Sequence, residues 1–146
     1  MDYNRLLRLF FLPYLSGLIC QGVKIFNHWI MGKKFDINLK SFLELGGMPS
    51  AHSASTITLS TLIAIYYGVN SPLFIISFFL SSFIIGEAYV VRGVIGKHRE
   101  LINKLIEISL KEELGREATH RIGHTPLEVI MGVILGFFFA FAFAGI

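Results

Sequence analysis

Four apolar stretches, with most of the charged residues left in the connections between them, constrain this chain more than any other feature. Leu6 to Val23, Ser50 to Tyr67, Leu73 to Val91 and Thr125 to Ile146 are the stretches. Each is about 17 to 22 residues long, adequate for a hydrocarbon core of roughly 30 Å. Apolar residues make up 53% of the chain and charged residues only 16%, against about 25% charged in soluble domains. In lipid, backbone N–H and C=O groups must be paired internally, which helices of this length achieve. The expected fold is therefore all-α: a small polytopic membrane bundle of about four transmembrane helices, with residues 1–146 forming one domain.

Composition also excludes several classes. A net charge of +3 is too small to argue for a nucleic-acid partner. Cys20 is the only cysteine and sits in an apolar run, so neither a disulfide framework nor a thiolate metal site is expected, and it reads as a small buried hydrophobe. The first apolar stretch is followed by Gln21 and Lys24 and not by a small-residue cleavage pattern, so it is read as a retained segment.

The stretch Ser50 to Tyr67 is rich in small residues, with Ser53, Thr56, Ser60 and Ala64 at helical spacing. Small residues let helix backbones approach closely in a membrane, which points to a central helix. Gly132-Val133-Ile134-Leu135-Gly136 is a GxxxG pattern, read as helix packing. In the segment 92–120, Leu101, Ile102, Leu105, Ile106, Ser109 and Leu110 alternate with charges at helical spacing, which predicts an amphipathic helix in the 96–114 loop. Four crossings put the connections 24–45 and 92–123 on one side. They hold every lysine and arginine except Arg5 and Arg8. The excess of positive charge places that side in the cytoplasm, with both termini opposite.

Candidate chemistry gathers on the basic side. Gly46-Gly47-Met48-Pro49-Ser50-Ala51-His52-Ser53 is a glycine-opened turn leading into an apolar helix. The unpaired N–H groups of such a start, around Ser50 and Ala51, favour an anion, and His52 beside them can exchange a proton with it. His124-Thr125-Pro126-Leu127-Glu128 repeats the form. Glu128 lies four residues after His124 and can fix its tautomer and stabilise its cation. Thr125-Pro126-Leu127-Glu128 is equally a capping box with proline at the first helical position. Arg92 offers a planar donor fork for phosphate oxygens, or it snorkels to the interface. Arg121 and Lys24 carry weaker versions of the same argument. Glu87, near the end of an apolar stretch, calls for a charged partner or water. His28, His98 and His120 lack comparable surroundings and read as loop residues.

These motifs resemble the divergent branch of the type 2 phosphatidic acid phosphatase superfamily, to which vanadium haloperoxidases and bacterial acid phosphatases are related. The matching pieces are Gly46 through Ala54, Gly96 through Leu105, and Gly123 through Val129, with Gln21 and Lys24 ahead of the first loop. The resemblance implies that His124 attacks phosphorus to form a phosphohistidine, oriented by Glu128. It implies that His52 protonates the leaving alkoxide and that Ser50 and the Ala51 amide hold phosphate oxygens. No metal and no other cofactor are expected. The chain also departs from the superfamily. Met31-Gly32 stands where an Arg-Pro pair follows the first lysine, and Ala118 where an arginine precedes the last histidine. Glu87, Arg92 and Gly93 replace an aspartate and an arginine pair. Phosphate clamping must therefore come from other residues, with Arg92, Arg121 and Lys24 as candidates.

The resulting expectation is a lipid-phosphate phosphatase of a bacterial or organellar inner membrane, with its site at the cytoplasmic leaflet. Its partners are the bilayer and a lipid phosphate such as phosphatidylglycerophosphate, phosphatidate or a polyprenyl phosphate, and homo-oligomerisation is left open. Transfer of the phosphoryl group to an alcohol, or lipid-phosphate binding without catalysis, are the alternatives.

Overall fold

The computed structural model describes residues 2–30, 47–109 and 125–145. They form four α-helices: α1 (Tyr3–Ile30), α2 (Ala51–Tyr67), α3 (Pro72–Ser109) and α4 (Pro126–Phe143). There is no strand among the described residues, as the apolar stretches require. Two helical stretches, Tyr3–Asn27 and Pro126–Phe143, are long and apolar enough to cross a bilayer, and Pro72–Glu87, the first part of α3, is a shorter apolar stretch.

Helix α2 is the centre, packed against each of the other three. Its small side chains are the reason. Ser53, Ala54, Thr58, Ser60 and Thr61 are all buried, and hydroxyls among them link the helices. Thr58 Oγ1 lies 3.1 Å from Ser16 Oγ of α1, 3.2 Å from the Gly136 carbonyl of α4 and 2.8 Å from the Ala54 carbonyl one turn back. Ser60 and Ser77 hydroxyls meet at 3.2 Å, and the Ser81 hydroxyl donates to the Thr56 carbonyl at 3.1 Å. These last two pairs show that α3 runs antiparallel to α2. Polar contacts of this kind between membrane helices contribute on average about 0.6 kcal/mol and up to about 1.7. Thr58→Val preserves shape and removes the hydroxyl from three helices at once. It is expected to destabilise the bundle by roughly 1–2 kcal/mol, read as a lowered unfolding midpoint in detergent.

Glycines set how closely the backbones approach. A Cβ on Gly136 would come within 2.7 Å of the Ala54 carbonyl oxygen and 2.9 Å of Ile57 Cβ. One on Gly132 would collide with the Ser50 carbonyl and lie 2.9 Å from Ser53 Cβ. The GxxxG pattern is thus consumed inside the chain, pressing α4 onto α2. Gly17 of α1 does the same against Ser55, whose Oγ would stand 2.5 Å from its Cβ. Cys20 is fully buried, 1% exposed, in keeping with its reading as a small hydrophobe.

The helix boundaries differ from the expectation in two places. The first segment was expected to end near Val23, but α1 continues to Ile30 and takes His28 and Trp29 into the helix. The third segment and the amphipathic helix were expected to be separate, but α3 runs unbroken through Ser109. Its 38 residues, at about 1.5 Å each, extend about 57 Å, well beyond a core of roughly 30 Å. Nothing between Val91 and Ser109 forces a stop: no proline is present, and charged side chains do not interrupt backbone pairing. Residues 110–114 of the expected helix lie outside the described residues.

Candidate active site

The starts of α2 and α4 meet. The Ser50 amide donates to the Glu128 carbonyl at 2.9 Å, so the two motifs far apart in sequence are joined by a direct backbone hydrogen bond. The close approach at Gly132 makes that bond possible, since any side chain there would displace Ser50.

Each helix start is capped by its own residues. Ser50 is the N-cap of α2 and is completely buried. Its hydroxyl oxygen accepts from the Ser53 amide at 3.4 Å and from the Ser53 hydroxyl at 3.1 Å. Both lone pairs are occupied, so the Ser50 hydroxyl acts toward anything else as a donor. Its backbone amide is committed to Glu128, which leaves Ala51 as the amide of the pair with no interhelical acceptor among the described residues. His52 follows in the first turn of α2 and is exposed. On α4, Thr125 is the N-cap and the capping box is complete. The Thr125 amide donates to Glu128 Oε2 at 2.9 Å, and the Glu128 amide donates to Thr125 Oγ1 at 3.3 Å. The structural role of Glu128 is therefore present. A carboxylate has two oxygens and about four acceptor positions, enough to serve both the cap and a histidine.

Lys24, Glu87 and Arg92 come from the flanking helices. Lys24 is 3% exposed, an unusual burial for a lysine. It lies on the stripe of α1 that carries Gly17 and Cys20, and the contact of Gly17 with Ser55 places Lys24 about level with Ser50. The pairings of Ser77 with Ser60 and Ser81 with Thr56 put Glu87 of α3 at that same level, where it is exposed. Arg92 is in α3, a little more than one turn further on. His124 and Arg121 lie outside the described residues, His124 immediately before the Thr125 cap. The structure thus gathers Lys24, Ser50, Ala51, His52, Glu87 and Glu128 at one end of the bundle.

One side chain there was not singled out for a role from the sequence. The Gln21 side-chain oxygen is buried and is the one such polar atom without a hydrogen-bond partner among the described residues. It sits one turn before Lys24 on α1. An unpaired buried amide costs about 1–3 kcal/mol, which a ligand bearing a donor would offset. The resemblance includes Gln21 beside Lys24 but assigns it no role, and no periodicity marks its burial.

A family model described as the divergent PAP2 family matches residues 7–139. The chain is also 30% identical over 141 residues to the uncharacterized membrane protein YuiD of Bacillus subtilis (strain 168), covering 85% of this chain and 88% of that one. No solved structure matches it.

Proposed function

The chain belongs to the divergent PAP2 family, and on that premise we propose that it is a membrane phosphatase acting on a lipid phosphate monoester. The observation that supports this reading is the Ser50–Glu128 backbone bond, which joins the start of α2, where His52 lies, to the start of α4, which His124 precedes in the sequence. A ring nitrogen of His124, with Glu128 behind the imidazole, attacks phosphorus. The bond from phosphorus to the lipid oxygen breaks, and His52 delivers a proton to that oxygen. Water then attacks the phosphohistidine and loses its proton to His52. Inorganic phosphate leaves and both histidines return to their starting states. The Ala51 amide and the Ser50 hydroxyl donate to phosphate oxygens at a helix start, where the dipole favours negative charge. Lys24, Arg92 and Arg121 supply the positive charge that the superfamily's missing arginines would have given. The sequence requires no metal for these steps.

The excess of basic residues in 24–45 and 92–123 favours the cytoplasmic leaflet for this site, with the acyl chain entering between helices and the phosphate meeting the polar ring. Phosphatidylglycerophosphate, phosphatidate and polyprenyl phosphate are the candidate substrates. Purified protein in neutral detergent should release phosphate from at least one of them, with undiminished rate in the presence of a chelator. Loss of activity on chelation would overturn the metal-free mechanism. Met31-Gly32 and Ala118 in place of clamp residues favour a second reading, binding without turnover, and tight binding with no phosphate release would select it. Phosphorylated product from an added alcohol would identify a phosphotransferase.

A further inference from the structure

At the end of the bundle away from His52, the start of α1 and the ends of α2 and α4 line a half-open cavity of about 470 Å³. Its lining includes Asp2, Tyr3, Arg5, Arg8, Tyr66 and Ala144. We propose that this cavity binds the phosphate of an anionic phospholipid headgroup, in the leaflet opposite the candidate active site.

Charge placement is the first argument. Of the 13 lysines and arginines in the chain, only Arg5 and Arg8 lie outside residues 24–45 and 92–123. Both line this cavity, and Asp2 is the one acidic residue among the lining. The two arginines are separated by three positions, so they share a face of α1. Arginine presents a planar fork of donors suited to phosphate oxygens.

The second argument is that the arginines are held in place with donors to spare. The Arg8 guanidinium donates to the Ala144 carbonyl, and the Tyr66 hydroxyl donates to that same carbonyl at 2.8 Å. One carbonyl uses only part of the five N–H groups of Arg8. Arg5 stacks over the Tyr66 ring, 5.6 Å from its centroid. Its contact with Asp2 is 3.4 Å long and joins side chains that are 51% and 71% exposed. Such an exposed pair is weak because solvent screens it, so a phosphate can compete with it.

The third argument is location. Helix α2 has 17 residues and spans about 25 Å, so this cavity is separate from the candidate active site by most of a bilayer core. It lies where the helices end, at headgroup depth. Exposed Phe10, Phe11 and Tyr14 follow on α1, an apolar surface along which acyl chains can lie. A lipid therefore fits the position better than a soluble phosphate, which would lose that contact.

The test is thermal unfolding of delipidated protein in neutral detergent. The additions are short-chain phosphatidylglycerol, phosphatidylcholine of the same chain length, and glycerol 3-phosphate. Phosphatidylglycerol should raise the Tm clearly more than phosphatidylcholine, and glycerol 3-phosphate should leave it unchanged. Arg5→Gln/Arg8→Gln should abolish the difference between the two lipids. Because Arg8→Gln also removes a contact to the end of α4, Arg5→Gln alone is the second variant. It should keep the lipid-free Tm near wild type and still lose much of the phosphatidylglycerol increment. His124→Ala should retain the increment, which separates this site from the catalytic one. Equal shifts with both lipids, or a phosphatidylglycerol increment that survives both arginine variants, would overturn the proposal. A shift with glycerol 3-phosphate as large as with the lipid would overturn the assignment to phospholipid.

Discussion

Replacing His124 by alanine is expected to lower phosphate release by about 10⁴-fold or more, since a covalent route without its nucleophile leaves only binding and electrostatic effects. The fold should tolerate the change. His124 precedes the α4 cap, and the Thr125–Glu128 reciprocal bonds involve none of its atoms, so the Tm should stay near wild type. His52→Ala should cost less, about 10²- to 10⁴-fold, the range for a general acid. The two variants should also differ in kind. With an aryl phosphate, whose leaving group departs readily without a proton, the His52→Ala defect should shrink and the His124→Ala defect should not. Acid-labile phosphate should be trapped on wild type and on His52→Ala, and be absent from His124→Ala. Substantial turnover by His124→Ala would remove it as nucleophile. Equal sensitivity of both variants to the leaving group would remove the division of labour between them.

How much of this could be read from the residues alone depends on the kind of signal. Apolar length predicted the helices, because backbone pairing in lipid leaves few alternatives. The central position of α2 followed from its serines, threonines and alanines, and Thr58 in contact with two other helices is the physical content of that expectation. Helix ends were read less well. The change of polarity at Lys24 and at Arg92 reads as a boundary, yet it marks where apolar surface stops. A helix ends where backbone donors and acceptors find other partners, and α1 and α3 have no such reason to stop at those residues. The burial of Lys24 was hidden for this reason, since a residue assigned to a loop has no face. At the site, the alternation of apolar stretches and charged connections predicts that the α2 and α4 starts lie at one end, and the Ser50–Glu128 bond joins them there. Their direct bond was not legible, because it depends on an approach distance that only Gly132 permits.

That dependence gives the largest structural effect expected of any single change. Gly132→Leu introduces a Cβ that collides with the Ser50 carbonyl and lies 2.9 Å from Ser53 Cβ, both belonging to the cap of α2. Backbone and a buried serine cannot swing aside as a flexible side chain would, so α4 must move away. Overpacking of this kind costs typically about 1–3 kcal/mol and sometimes more. The displacement also stretches the Ser50–Glu128 bond that holds the two motifs together. The expected result is a lowered unfolding midpoint together with a loss of phosphate release disproportionate to it, because misplacement by about 1 Å can cost 10²-fold in rate. Gly132→Ala should be milder in stability, since alanine's better helix propensity returns up to about 1 kcal/mol, but should still impair the rate. Gly22→Ala is the control. A Cβ there meets nothing within 4 Å, so stability should be unchanged or rise by about 0.5–1 kcal/mol with activity intact. If Gly132→Leu matched Gly22→Ala in both measurements, the close contact between α2 and α4 would not be what assembles the site.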